Sequence, residues 1–191
     1  MPRIAILGGG LCGRLTALQL AEQGLSIALF DKGGRKGEHA AAYVAAAMLA
    51  PAAEAVEATP EVIKLGRQSI PLWRNIRGRL KTPTMMQENG SLIVWHGQDK
   101  PLSSEFVRHL KRGGVADDEI VRWRADDIVE REPQLAGRFS DGIYLSTEGQ
   151  LDGRQMLSAL ADTLDGLNVP CHWEHECAPE DLQAQYDWLI D

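Results

Sequence analysis

Gly8, Gly10 and Gly13 are spaced as G-x-G-x-x-G, and an acid, Asp31, stands eighteen residues beyond the last of them. Each has a physical task. Gly8 permits a tight turn, Gly10 leaves no side chain where a phosphate can touch the backbone, and Gly13 allows close packing behind the turn. With Gly9, Leu11 and Cys12 between them, unpaired N–H groups and the positive end of a helix face an anion. Asp31 is placed to accept hydrogen bonds from a ribose 2′-OH, and the adjoining Lys32 joins the same set. The chemistry is dinucleotide binding; the alternative is a glycine-rich turn in an unrelated α/β domain. An acid at Asp31 suits the adenosine ribose of NAD or FAD and would repel the 2′-phosphate of NADP.

The flanking sequence supplies the elements such a turn needs. Ile4 to Leu7 is a short apolar run, expected of a strand buried on both faces. A helical pattern follows, with Leu11, Leu15 and Leu18 on one face and Ala17, Leu20 and Ala21 on another. Gly24 stops it where a left-handed residue is wanted, and Ile27 to Phe30 forms a second buried run ending at Asp31. The expected fold class is α/β, a Rossmann-like parallel sheet interrupted by a mixed α+β insert and incomplete at its C-terminal end. Residues 1–58 and 151–191 are expected to form the discontinuous nucleotide-binding domain and 59–150 the insert.

Along the rest of the chain, Thr59-Pro60-Glu61 reads as a helix start, with the helix running to about Leu80 and bent or broken at Pro71. Asn89-Gly90 between Met85–Gln87 and Ser91–Trp95 reads as a hairpin. Ser103 to Lys111 is expected to be helical, Ile120 to Trp123 a strand, Asp126 to Glu132 a short helix, and Gly142 to Leu145 a strand. Gly153 to Leu164 carries the stripe Met156, Leu157, Leu160, Ala161 and Leu164 of an amphipathic helix. Val169 to Trp173 and Trp188 to Asp191 are expected to be strands, the latter beside Ile4–Leu7.

A net charge of −7 and a pI near 5.3 over 191 residues disfavour nucleic acid as a partner. The basic stretch Arg67 to Lys81 reads as the wet face of an amphipathic helix. No apolar segment is long enough to span a bilayer and no signal peptide is evident, so the cytoplasm is the expected compartment. Three cysteines, Cys12, Cys171 and Cys177, do not suggest a disulfide framework. Cys171, His175 and Cys177 are metal-ligating types, but on a strand the two sulfurs stand roughly 20 Å apart, too far for one zinc ion; no metal site is expected. The run His39–Pro51 is alanine-rich. It reads either as a plain helix or as a backbone kept bare for a large flat ligand.

Together these segments resemble the FAD-dependent D-amino acid oxidase family, the glycine oxidases most of all. Three stretches carry the resemblance: GGGLCGRLTALQLAEQGLSIALFD, AAAYVAAAMLAP and EGQLDGRQMLSAL. The second is similar to the family's flavin-side loop, usually ending Gly-Met-Leu, and the third to its Gly-x-Val-Asp-Pro-Arg segment. Glu130-Arg131-Glu132-Pro133 with Leu135 also resembles the family's Glu-x-Glu-Pro-x-Leu. Ala47 departs from a common Gly and Gly153 from a common Pro. The resemblance implies FAD as cofactor, with Ala41, Ala42, Ala45, Ala46, Ala47 and Met48 near the flavin and the Cys177 backbone toward the adenine. It implies oxidation of a small-molecule amine or amino acid: a hydride leaves the α-carbon for flavin N5, and the imine hydrolyses. Family members run to about twice this length, so a completing C-terminal half or second subunit is expected, and the catalytic residues are unknown. A non-catalytic nucleotide-binding subunit and an NAD-dependent enzyme remain alternatives. An alanine run that is helical, buried and far from Gly10 would favour NAD.

Overall fold

The computed structural model describes residues 1–191. In chain order the elements are β1 (Arg3–Leu7), α1 (Leu11–Glu22), β2 (Ser26–Phe30), α2 (Ala41–Val44), β3 (Met48–Leu49), α3 (Pro60–Arg79), β4 (Met86–Gln87), β5 (Ser91–Val94), α4 (Lys100–Arg112), β6 (Ile120–Arg124), α5 (Ala125–Arg131), β7 (Asp141–Leu145), β8 (Gly149–Leu151), α6 (Gly153–Gly166), β9 (Cys171–His172), α7 (Pro179–Leu182) and β10 (Trp188–Ile190). The chain divides into two compact units. One comprises Met1–Ala47, Asn75–Met85 and Leu151–Asp191; the other comprises Met48–Arg74 and Met86–Gln150. Strand β3 pairs with β8 and not with the four-stranded parallel sheet.

The first unit holds a four-stranded sheet, β10-β1-β2-β9, with every pairing parallel. Ala5 faces Ala28 across the β1–β2 pair. With Phe30 and Leu182 these two small residues form one buried cluster, against which Leu7, Cys177, Tyr186 and Leu189 pack. Helices α1 and α6 pack on each other. Ala17 and Leu18 of α1 and Met156, Leu157, Leu160, Ala161 and Leu164 of α6 are buried there. Asp152 starts α6 by accepting a hydrogen bond from the Gln155 N–H at 2.9 Å, a cap of the preferred type. Gly24 ends α1 with φ +76°.

The second unit contains two three-stranded sheets, β3-β8-β4 and β5-β7-β6; β3–β8, β5–β7 and β6–β7 pair antiparallel. Its core is Ala52, Ala55, Ile63, Leu110, Val115, Ile143 and Leu145. Trp123 and Tyr144 stack at 4.3 Å between ring centroids.

Three local expectations are corrected. Helix α3 is continuous through Pro71, which is exposed, so the helix is not broken there. Met86–Gln87 and Ser91–Val94 do not form a hairpin, because they belong to different sheets. Gly90 has the positive φ of +78° that such a turn demands. Its N–H, however, donates to the Glu148 carbonyl, and β5 pairs with β7. The strand expected over Val169–Trp173 is only Cys171–His172, since Glu174 takes a positive φ of +55° and turns the chain. No helix is long and apolar enough to cross a membrane.

Candidate functional site

The parallel pair β1–β2 delivers the glycine turn and Asp31 to the same end of the sheet. Gly8 leaves β1 with φ +96°, and its N–H donates to the Phe30 carbonyl at 2.8 Å. Gly10 is the residue preceding α1, in extended conformation, and no side chain caps that helix. The first N–H groups of α1 are therefore left for an external acceptor. A Cβ on Gly13 would stand 1.8 Å from the Gly8 carbonyl oxygen, whereas one on Gly10 would meet only the Ala40 Cβ at 3.8 Å. So Gly13 is required by the fold, while Gly10 keeps an open face.

Gly9 is held at both ends. Its N–H donates to Asp31 Oδ2, and its carbonyl accepts from Arg14 Nε at 2.5 Å. The second Asp31 oxygen accepts from the Gly33 N–H at 2.6 Å. Asp31 is further tied through its backbone: its N–H donates to the His172 carbonyl at 3.0 Å, and its carbonyl accepts from the His175 N–H at 2.9 Å. Lys32 beside it is exposed.

Arg14 is a site residue that the sequence pattern did not announce. It is fully buried, at 0% exposure. Besides Gly9 it donates to the carbonyls of Leu157 at 2.6 Å and Arg35 at 2.9 Å. Its guanidinium lies over the Trp173 ring, 4.6 Å from the centroid. Burial pushes its pKa down, and the Asp31 charge opposes that shift. Arg35 is anchored in turn to Asp162 and Asp165 of α6 at 2.7 and 2.6 Å. The one available signal was periodic: position 14 falls on the inward face with Ala17 and Leu18, where an arginine has no ordinary place. Trp173 was also missed; a Cβ on Gly9 would come within 2.5 Å of its ring.

The alanine run is not a plain helix, and it is exposed or half-buried as far as Leu49, with Ala50 and Pro51 buried. Ala41 and Ala42 lie in the single turn α2, and Ala41, Ala45 and Ala46 are exposed. Ala40 is the nearest neighbour of the open Gly10 position. Ala47 takes a left-handed φ of +53°, the conformation that glycine serves best. Its carbonyl accepts from the Leu151 N–H at 3.0 Å. Met48, 55% exposed, begins β3. Leu11 and Cys12 open α1, Cys12 being exposed. Cys177 packs on the Ala5–Phe30 cluster, and burial pushes its thiol pKa up. Burial also raises the Cys171 thiol to about 11.

A parallel sheet, an uncapped glycine turn and an acid at the end of the second strand define a dinucleotide-binding protein of the Rossmann class. More particularly, the family model described as FAD dependent oxidoreductase (DAO) matches residues 3–182, and the chain belongs to that family. FAD is the family's cofactor, and the bare Gly10 face and uncapped α1 fit its diphosphate. The chain is 33% identical over 167 residues to a Rhizobium etli protein that carries the name thiamine biosynthesis oxidoreductase ThiO, covering 87% of this chain and 47% of that one. It is 28% identical over 165 residues to a glycine oxidase of Geobacillus kaustophilus, covering 83% and 42% respectively. A crystal structure of glycine oxidase from Geobacillus kaustophilus superposes with a TM-score of 0.74 at 23% identity, over 92% of this chain and 48% of that one. The chain thus spans about half the length of the curated relatives it matches.

Proposed function

We propose that this chain carries the FAD-binding part of an oxidoreductase that acts on an amine or amino acid of the glycine or D-amino acid type. The observation that carries the reading is the open, uncapped turn Gly8–Gly13 with Asp31 gripping its backbone. Gly8, Gly9, Gly10, Leu11, Cys12 and Gly13 are assigned to the diphosphate, and Asp31 and Lys32 to the adenosine side. Ala41, Ala42, Ala45, Ala46, Ala47 and Met48 are assigned to the flavin side, and the Cys177 backbone to the adenine. An alanine run that is exposed and begins beside Gly10 supports flavin over nicotinamide. Residues 1–58 and 151–191 serve the cofactor, and 59–150 belong to the substrate domain.

FAD, when bound, accepts the hydride that leaves the substrate α-carbon. The chain's own residues orient it: helix α1 offers N–H donors to the diphosphate, Asp31 offers acceptors to the ribose, and the small alanine side chains let backbone approach a flat ring. The glycine in the name of one relative, glycine oxidase, supports a small amino acid or amine as substrate. Because those relatives are about twice as long, we assign the groups that clamp the substrate to further sequence or to a second subunit. Holding reacting atoms in place can supply about 7–11 kcal/mol of barrier lowering, so the clamp decides turnover.

Peroxide release from glycine, sarcosine and D-alanine tests the reading, measured on this chain with FAD and on the longest product of its gene. Turnover of one of these by the longer product, with FAD binding but no turnover by the 191-residue chain, is expected. A longer product that holds FAD but oxidises no amine would overturn the substrate class.

A further inference from the structure

Arg14 poses a problem that the fold alone does not solve. A fully buried guanidinium is costly unless its charge is met, yet Arg14 takes part in no ion pair with an acid. Its three acceptors are neutral carbonyls, of Gly9, Leu157 and Arg35. The nearest source of compensation is Asp31, and that carboxylate already accepts from Gly9 and Gly33. Arg14 also stands on the first turn of α1, whose uncapped N-terminus is itself positive. Two like charges therefore share one small region in which Asp31 is the anion on hand, already engaged by two backbone N–H groups. A hydrophobic residue at position 14 would pack against Trp173, Leu157 and Gly37 without this cost.

We infer that the buried Arg14 charge is held for the cofactor's diphosphate, making Arg14 a positioning residue that acts through the Gly9 peptide and through its field. The inference rests on the dinucleotide reading proposed above. Arg14 fixes the Gly9 carbonyl, which turns the neighbouring N–H groups outward, and it adds a full positive charge behind them. The diphosphate then adds a second anion to Asp31 for this cation and the helix end together. A stacking surface, Trp173, and two carbonyls from separate elements keep the guanidinium from moving toward solvent instead. A purely structural arginine would support every ligand of the loop equally. A charge held for phosphate would favour only the phosphorylated ones.

The test compares ADP with adenosine on the purified chain, by calorimetric titration for ADP and saturation-transfer NMR for adenosine. Arg14→Met should weaken ADP about tenfold or more, as expected for one charge interaction at an effective dielectric constant of about 20, and leave adenosine nearly unchanged. Arg14→Lys, which keeps the charge but not the three-carbonyl fork, should recover a large part of the ADP affinity. Equal losses for ADP and adenosine, or no loss for ADP, would overturn the inference. Should the variants fail to fold, the Nε–H resonance of the buried arginine in the parent chain is followed instead. It should shift with ADP and not with adenosine, and no difference between them counts against the inference. The two readings fail separately: a parent that binds neither ADP nor FAD refutes dinucleotide binding itself, whereas a parent that binds ADP with an Arg14→Met variant that binds it equally well refutes only the role of Arg14.

Discussion

Asp31 and Arg14 hold Gly9 between them, one on each of its flanking peptide groups: the carboxylate accepts from the Gly9 N–H while the guanidinium donates to the Gly9 carbonyl at 2.5 Å. The acid that we assign to the ribose thus also holds the turn that we assign to the diphosphate. Its other oxygen holds Gly33 at 2.6 Å, so both ends of the loop around the site converge on one side chain.

Asp31→Asn should therefore weaken FAD binding while the chain stays folded. An amide has one oxygen to accept with, and its NH₂ group would face a backbone donor. Hydrogen bonds to a charged group contribute about 1.5–3 kcal/mol, so a loss of about tenfold to a hundredfold in affinity is expected in a fluorescence titration. An unchanged dissociation constant would remove Asp31 from the site.

Gly10 and Gly13 should respond differently to a side chain. At Gly13 a Cβ would overlap the Gly8 carbonyl, and at Gly10 it has room. Gly13→Ala is expected to lower the melting temperature sharply. Gly10→Val should keep the far-UV circular dichroism of the parent and lose FAD, because its side chain occupies the place of the diphosphate. A Gly10→Val protein that still copurifies with flavin would move the site elsewhere.

Two departures from the family pattern make stability predictions. Ala47 sits at φ +53°, a conformation that costs a residue with a Cβ about 1–2 kcal/mol, so Ala47→Gly should raise the urea midpoint. Gly153 opens α6, where alanine would ordinarily gain about 1 kcal/mol. Here a Cβ would stand 2.3 Å from the Ala42 carbonyl oxygen, and overpacking of that kind costs about 1–3 kcal/mol. Gly153→Ala should accordingly lower the midpoint despite the better helix propensity.

Much of the fold was legible because periodicity and local stops agreed. The Ile4–Leu7 and Ile27–Phe30 runs became β1 and β2, Gly24 took its left-handed turn, and the Met156–Leu164 stripe became the buried face of α6. What failed depended on partners distant in sequence. Asn89-Gly90 has the local conformation of a hairpin turn, yet Tyr144 and Glu148, more than fifty residues on, claim its backbone. Pro71 was read by its local cost, which an exposed helix face tolerates. The glycine turn and Asp31 were legible as a motif, but Arg14 and Trp173 were not. Their meaning comes from contacts among α1, the loop after Asp31, α6 and the segment after β9.

The central claim, that the Gly8–Gly13 turn and Asp31 bind FAD, is tested most directly by the absorbance spectrum of the purified 191-residue chain titrated with FAD, with Gly10→Val in parallel. A saturable, red-shifted and structured flavin band in the parent, absent from Gly10→Val, is the predicted result. A parent spectrum identical to free FAD at every ratio, or a Gly10→Val spectrum identical to the parent's bound form, would contradict it.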